Sequence, residues 1–130
     1  DSMSTLKADT IVAADGTSPV TLTKQSAAKA FIDYNQATDV VNSSFNISGT
    51  VDNTTGDFTS SFTSSFDDAF YPIATFSAET SVTASNRVFG APTRATGSIR
   101  ATVGYVSSTG GQITVWDNQI NDITIHGDLA

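Results

Sequence analysis

The side chains that could carry chemistry are few. The single histidine, His126, stands near the C-terminus, and the 130 residues include no cysteine. A serine hydrolase needs Ser, His and an acid in one relay, and the Gly-x-Ser-x-Gly elbow that would mark a nucleophile is absent. One histidine without cysteine leaves only carboxylates to complete a zinc shell, so no metal site is expected. Among carboxylates, Asp67 and Asp68 are adjacent, and Asp52 and Asp57 flank the tetrad "NTTG". Glycosidases hold two such groups across a cleft, whereas adjacent loop aspartates serve turn formation and solvation. "DNTTGD" offers oxygens to calcium but has neither the spacing nor the distal Glu of an EF-hand loop. The expectation is a protein that is not an enzyme and needs no cofactor.

Recognition by stacking and charge has better candidates. In "SFDDAFYPI", Phe66, Phe70 and Tyr71 gather in a loop that enters a strand, where they either plug the end of a sandwich or stack on a sugar. Trp116 shares the parity of Thr114 rather than that of Ile113 and Val115, which turns it outward toward a subunit interface or a ligand. Residues 1–80 hold ten acidic groups against three Lys, whereas 81–116 hold Arg87, Arg94 and Arg100 with no acid. These arginines either pair with Asp groups across a sheet or form a contact surface for an acidic glycan or a neighbouring subunit. The binding candidates are therefore Trp116, Tyr71, Phe70, Arg87 and Arg94. Sequons at Asn42, Asn46 and Asn53 arise by chance in a chain with 37 Ser and Thr.

Composition says which elements must position these groups. Ser and Thr abound while Leu contributes three residues, a balance that favours strands over helices. A formal net charge of −7 opposes phosphate binding, so nucleic acid is a poor partner. No apolar run approaches the roughly 20 residues that span a bilayer, so no membrane insertion is expected. Asp1 and Ser2 precede Met3, the pattern of a cloning remnant before an initiator methionine. Residues 3–28 carry few large apolar side chains and read as an N-terminal arm, with extended pieces over 6–12 and 20–23 around the turn signals of "ADGTSP". Ser26 is a plausible cap for at most one helical turn.

Over 29–130 the pattern predicts seven strands, at 29–34, 44–51, 57–63, 73–84, 97–106, 112–116 and 122–126, separated by turn-rich loops. The clearest alternation is "GSIRATVGYV", with Ile99, Ala101, Val103 and Tyr105 facing in. "FNISGTVDNTTGDFTSSF" reads as a hairpin with one apolar and one hydroxyl-rich face. The fold class expected is all-β, an antiparallel β-sandwich of jelly-roll type with an extended N-terminal arm.

Three segments also carry a family resemblance. "STLKADTIVAADGTSPVTLTKQSAAKAF" resembles the start of many tail-fibre proteins of marine and cyanobacterial phages, in which "TLKVDTI…G" leads into "KAW" and a strand. "SSFNISGTVDNTTGDFTSSFTSSFDDAFYPI" is similar to that family's next block, with its "DNGTGDYTVNF"-type hairpin, and "TGSIRATVGYVSSTGGQITVWDNQINDITI" resembles its closing strands. Phe31 stands where the family has Trp, and Thr54 or Thr55 where its hairpin has Gly. The resemblance implies a β-rich module of a virion fibre, assembled as a homotrimer, with other fibre or capsid proteins as partners and attachment to a host-surface glycan as its role. It carries over no ligand-binding residue. A capsid decoration or fibre-joining protein without a receptor, and a bacterial carbohydrate-binding module, are the alternatives.

Overall fold

Apolar and hydroxyl side chains alternating with period two build ten strands in the computed structural model, which describes residues 8, 10–18, 27–80, 86–90 and 92–130. They are β1 (Ala30–Asn35), β2 (Val40–Phe45), β3 (Ile47–Thr54), β4 (Asp57–Phe62), β5 (Ile73–Ala78), β6 (Arg87–Phe89), β7 (Thr93–Ala95), β8 (Ser98–Val106), β9 (Ile113–Val115) and β10 (Ile120–Ile125). Among the described residues the only helical element is a 3-10 turn at Gln36–Thr38, and no helix is long and apolar enough to cross a membrane.

Two antiparallel sheets result, an arrangement compatible with a β-sandwich. The first runs β2-β1-β10-β5 and the second β3-β4-β8-β6, with β7 and β9 also paired to β8. Val103 explains how β8 serves so many partners. Its N–H donates to Gly56 O and its carbonyl accepts from Trp116 N, so the β3–β4 turn and the end of β9 meet along one edge of β8. β7 and β6 follow each other along the opposite edge, where Gly90 N–H donates to Thr102 O.

The facing surfaces of the two sheets share one apolar core. Ala30, Ile32 and Tyr34 of β1 and Ile123 and Ile125 of β10 meet Phe58 and Phe62 of β4 and Ile99, Ala101 and Val103 of β8. The Tyr34 and Phe58 rings, one from each sheet, lie 4.8 Å apart. Along β8 the expected inward set is buried, apart from Tyr105, which is half-buried.

The strand map differs from expectation in three places. A single strand over 44–51 becomes β2 and β3, because Asn46 adopts φ 57°, a left-handed conformation that Asn tolerates better than most residues. Its side chain fixes the break, donating to Lys29 O and Ser64 O and accepting from Ser64 N. β2 therefore belongs to the first sheet and β3 to the second. The loop expected at "NRVFGAPTRA" contains β6 and β7. The strand expected over 73–84 ends at Ala78, with Glu79 and Thr80 outside it, and residues 81–85 lie outside the described set.

Most of the expected arm, with the piece at 20–23 and the cap at Ser26, also lies outside the described residues. The turn within it is present. Asp15 accepts from the Ser18 hydroxyl, from Ser18 N and from Thr17 N, and these bonds, in that order, lower its carboxyl to a pKa of about 2.

One face of the first sheet stays in solvent. Phe31 and Phe45, neighbours across β1 and β2, stack 6.1 Å apart at 38% and 52% exposure, and Phe76 of β5 is 58% exposed. Between them Asp33 and Asp122 stand directly opposite across β1 and β10. Burial, and then the neighbouring Asp33 charge, push the Asp122 carboxyl above its usual range.

Candidate functional site

β4 and β10 run the length of the core, and the candidate residues gather at their two ends. Gly56 before β4 and Trp116 and Asp117 before β10 mark one end. Residues 66–72 after β4 and 127–128 after β10 mark the other. A six-residue strand spans about 17–20 Å, so the two ends are separate sites.

At the first end Trp116 is half-exposed, at 49%. The indole is braced from within the chain. Tyr105 meets it edge-on at 6.0 Å between ring centroids, and the Arg87 guanidinium sits 5.2 Å from the Tyr105 ring centre and 6.0 Å from that of Trp116. Arg87 is also paired with Glu79 at 3.7 Å, a charge contact longer than a hydrogen bond. Beside the indole opens a cleft of about 320 Å³ lined by Ala37, Thr55, Trp116 and Asp117.

Three loops form the cleft, and buried amides hold them together. Asp117 Oδ1 accepts from Gly56 N at 2.7 Å, tying the loop between β9 and β10 to the β3–β4 turn. Gly56 itself is at φ 67°, and a Cβ there would come within 2.8 Å of Trp116 N. Below the cleft, Asn118 donates to Gly104 O and Ser77 Oγ, and Asn121 donates to Tyr34 O and Asn118 O. Gln36, 2% exposed and adjacent to cleft-lining Ala37, donates to Asp52 Oδ1 at 3.0 Å and to Thr54 O. Gln36 Oε1 and Asn118 Oδ1 are buried without a hydrogen-bond donor among the described residues.

Negative charge collects at this end. The Tyr34 hydroxyl donates to Asp39 at 2.7 Å. Burial first, then that hydrogen bond, then the charges of Asp39, Asp52 and Asp117 push the phenol above its ordinary range, so it remains a donor. Asp57 is held by Arg100, whose Nε donates to Oδ1 at 2.8 Å, and by Asn53.

The other end is closed by rings. Phe62, Phe66 and Tyr71 are all buried, with centroids 4.6–5.9 Å apart. The Tyr71 hydroxyl lies 3.1 Å from both Ala95 O and Ser98 O, and Arg94 covers the ring while its Nη1 donates to Tyr71 O. Of the two roles open to the loop aromatics, Phe66 and Tyr71 take the plug. Of these loop aromatics Phe70 alone points out, at 82% exposure, beside a smaller hollow of about 230 Å³. Asp68 Oδ1 accepts from Phe70 N, as a turn aspartate does.

Thus Trp116 and Arg87 come together, Tyr71, Phe70 and Arg94 come together at the opposite end, and the two groups do not meet. His126 follows β10, with its backbone N–H donating to Pro72 O. Among the described residues no group of three or more His, Asp or Glu could hold a metal ion. Sequence reasoning missed Ala37, Thr55 and Asp117 as cleft residues and Gln36, Asn118 and Asn121 as their support. "NQATD" and "DNQIN" carry turn chemistry, and nothing in residue type separates an exposed turn amide from a buried one. Comparison with protein-family models, with curated proteins and with solved structures finds no match to this chain.

Proposed function

We propose that the chain is a non-enzymatic attachment module that binds a saccharide weakly at the Trp116 cleft. The observation that carries this reading is a half-exposed indole, braced by Tyr105 and Arg87, beside a cleft with a carboxylate and a hydroxyl at its wall. The C–H face of a pyranose stacks on such a ring, and its hydroxyls donate to Asp117 and exchange hydrogen bonds with Thr55. Titration of the protein with a panel of neutral oligosaccharides, followed by tryptophan fluorescence and calorimetry, tests it. Trp116→Ala weakens binding about tenfold or more, as expected for an aromatic anchor, while Phe70→Ala leaves it unchanged. A wild-type protein that binds none of the panel would sink the reading.

We further propose, on the resemblance of its segments to phage tail-fibre proteins, that the module is a jelly-roll-like sandwich that works in the virion as a homotrimer. Weak sites repeated three times gain avidity without a tight pocket. The exposed Phe31, Phe45 and Phe76 on the outer face of the first sheet support contact between copies. Light scattering checks this: a mass near three times 13.5 kDa is expected, and a monomer at all concentrations would overturn it.

A further inference from the structure

Among the described residues, the carboxylates around the Trp116 cleft outnumber the cations that lack a carboxylate partner, and that restricts what it can hold. Asp117 lines the cleft. Asp39 is held against the Tyr34 hydroxyl and Asp52 against Gln36, the residue next to cleft-lining Ala37. The described positive groups nearby have counter-ions: Arg87 lies against the Tyr105 and Trp116 rings with Glu79 3.7 Å away, and Arg100 is bound to Asp57. Arg94 is at the opposite end of the core, on Tyr71. A ligand stacked on the indole therefore meets carboxylates with no uncommitted cation among the residues that form the cleft wall.

Resting on the saccharide reading above, we infer that this cleft selects by charge: it takes uncharged pyranoses, holds amino sugars more tightly, and rejects uronates, sialic acids and phosphorylated sugars. The cause is electrostatic. A carboxylate on the ligand meets the Asp117 carboxylate at the cleft wall, and an ammonium there gains what the anion loses. Stacking on the indole is open to all three ligand classes, so the sign of the ligand's charge is what orders the cationic and anionic extremes. The arginines of 81–116, although they make that stretch basic in sequence, do not reverse this, because each has its partner within the chain.

The test uses three oligosaccharides of equal length, an N-acetylglucosamine, a glucosamine and a galacturonate oligomer, titrated against the whole protein by tryptophan fluorescence. Mildly acidic pH keeps the amine protonated and the carboxylates ionised. At low salt the expected order is glucosamine tightest, N-acetylglucosamine next and galacturonate weakest, with about tenfold between the charged extremes. High salt narrows the spread. Asp117→Asn keeps the oxygen that accepts from Gly56 N and removes the charge, so the ratio of glucosamine to galacturonate affinity falls, whatever the variant does to the neutral oligomer. Equal affinities at low salt, or galacturonate binding tightest, would overturn the charge inference and leave saccharide binding intact. Binding of none of the three by the wild type would overturn both, and an Asp117→Asn variant that keeps the full spread would remove Asp117 from the explanation.

Discussion

The two ends of the core are closed by opposite means. Beyond β4, Phe62, Phe66 and Tyr71 fill the opening with mutual ring contacts, and the only polar demand, the Tyr71 hydroxyl, is met by two carbonyls. Before β10, the closure is made of Gln36, Asn118 and Asn121, all buried, and the largest ring of the chain is left half in water. An apolar plug is stable wherever its shape fits. A buried amide stabilises only when each donor and acceptor is matched, and two acceptors here lack a donor among the described residues. One end is thus closed by ring packing, and the proposed ligand cleft opens at the other. Loops held by directional bonds can present an indole, whereas a ring that packs into a core cannot.

The largest test of that contrast is Phe66→Ala. The side chain is 1% exposed and touches two other rings, so truncation leaves a cavity and costs about 3–5 kcal/mol. Against a total stability of roughly 5–15 kcal/mol this is a large shift of the urea midpoint. Saccharide binding by the folded fraction is expected to stay the same. A loss below about 1 kcal/mol would mean that the ring cluster is not the closure described here.

Gly56→Ala acts at the other end and is intermediate. Gly56 and Gly110 share a positive φ, 67° and 76°, so each alanine pays the left-handed penalty of about 1–2 kcal/mol. Around Gly110 there is open space, whereas a Cβ on Gly56 presses on Trp116 N and Val115. Gly56→Ala is therefore expected to be the more destabilising of the two and the only one that weakens ligand binding, read by thermal melts and the same titration. Equal effects on both readouts would show that the close approach at the cleft is not what holds Trp116.

Much of the second sheet was legible. Ile99, Ala101 and Val103 on one parity of β8, and Phe58, Ser60 and Phe62 on one parity of β4, state which face is buried, and period two is all a half-buried strand requires. β2 was not legible, because all six of its residues are exposed at a sheet edge and show no buried face. Nor was the sheet switch at Asn46, which depends on a left-handed φ secured by contacts to Lys29 and Ser64, 17 and 18 residues away. Trp116 could be singled out by type, but its parity decided nothing, since Ile113, Thr114 and Val115 are all exposed. The cleft needed three loops brought together around Gly56 and Asp117, 61 residues apart, and local patterns do not encode that pairing.

The smallest effect uses β10, which joins the two ends. Its inner side chains, Asn121, Ile123 and Ile125, alternate with Asp122 and Thr124 on the outer face, where Asp122 opposes Asp33. Because the folded-state pKa of Asp122 is raised, its contribution is favourable below the ordinary carboxyl pKa of about 4 and is lost as pH rises through the higher folded value. At neutral pH it is a net cost, so Asp122→Asn is expected to stabilise by about 0.5 kcal/mol after solvent screening, with the gain vanishing in acid. Asp57 has the opposite sign. Its hydrogen bond from Arg100 lowers its carboxyl pKa, so its contribution is present at neutral pH and is lost as pH falls through that depressed value. Urea melts of the wild type and Asp122→Asn across the acid range separate the two, since the Asp57 part is common to both proteins and cancels, leaving a difference that reports Asp122 alone. Binding at the Trp116 cleft should not move with Asp122→Asn, because that side chain lies on the outer face and the cleft is built from the loop before β10. A change in affinity would show that charge on the outer face reaches the cleft, and the two ends could no longer be treated as independent.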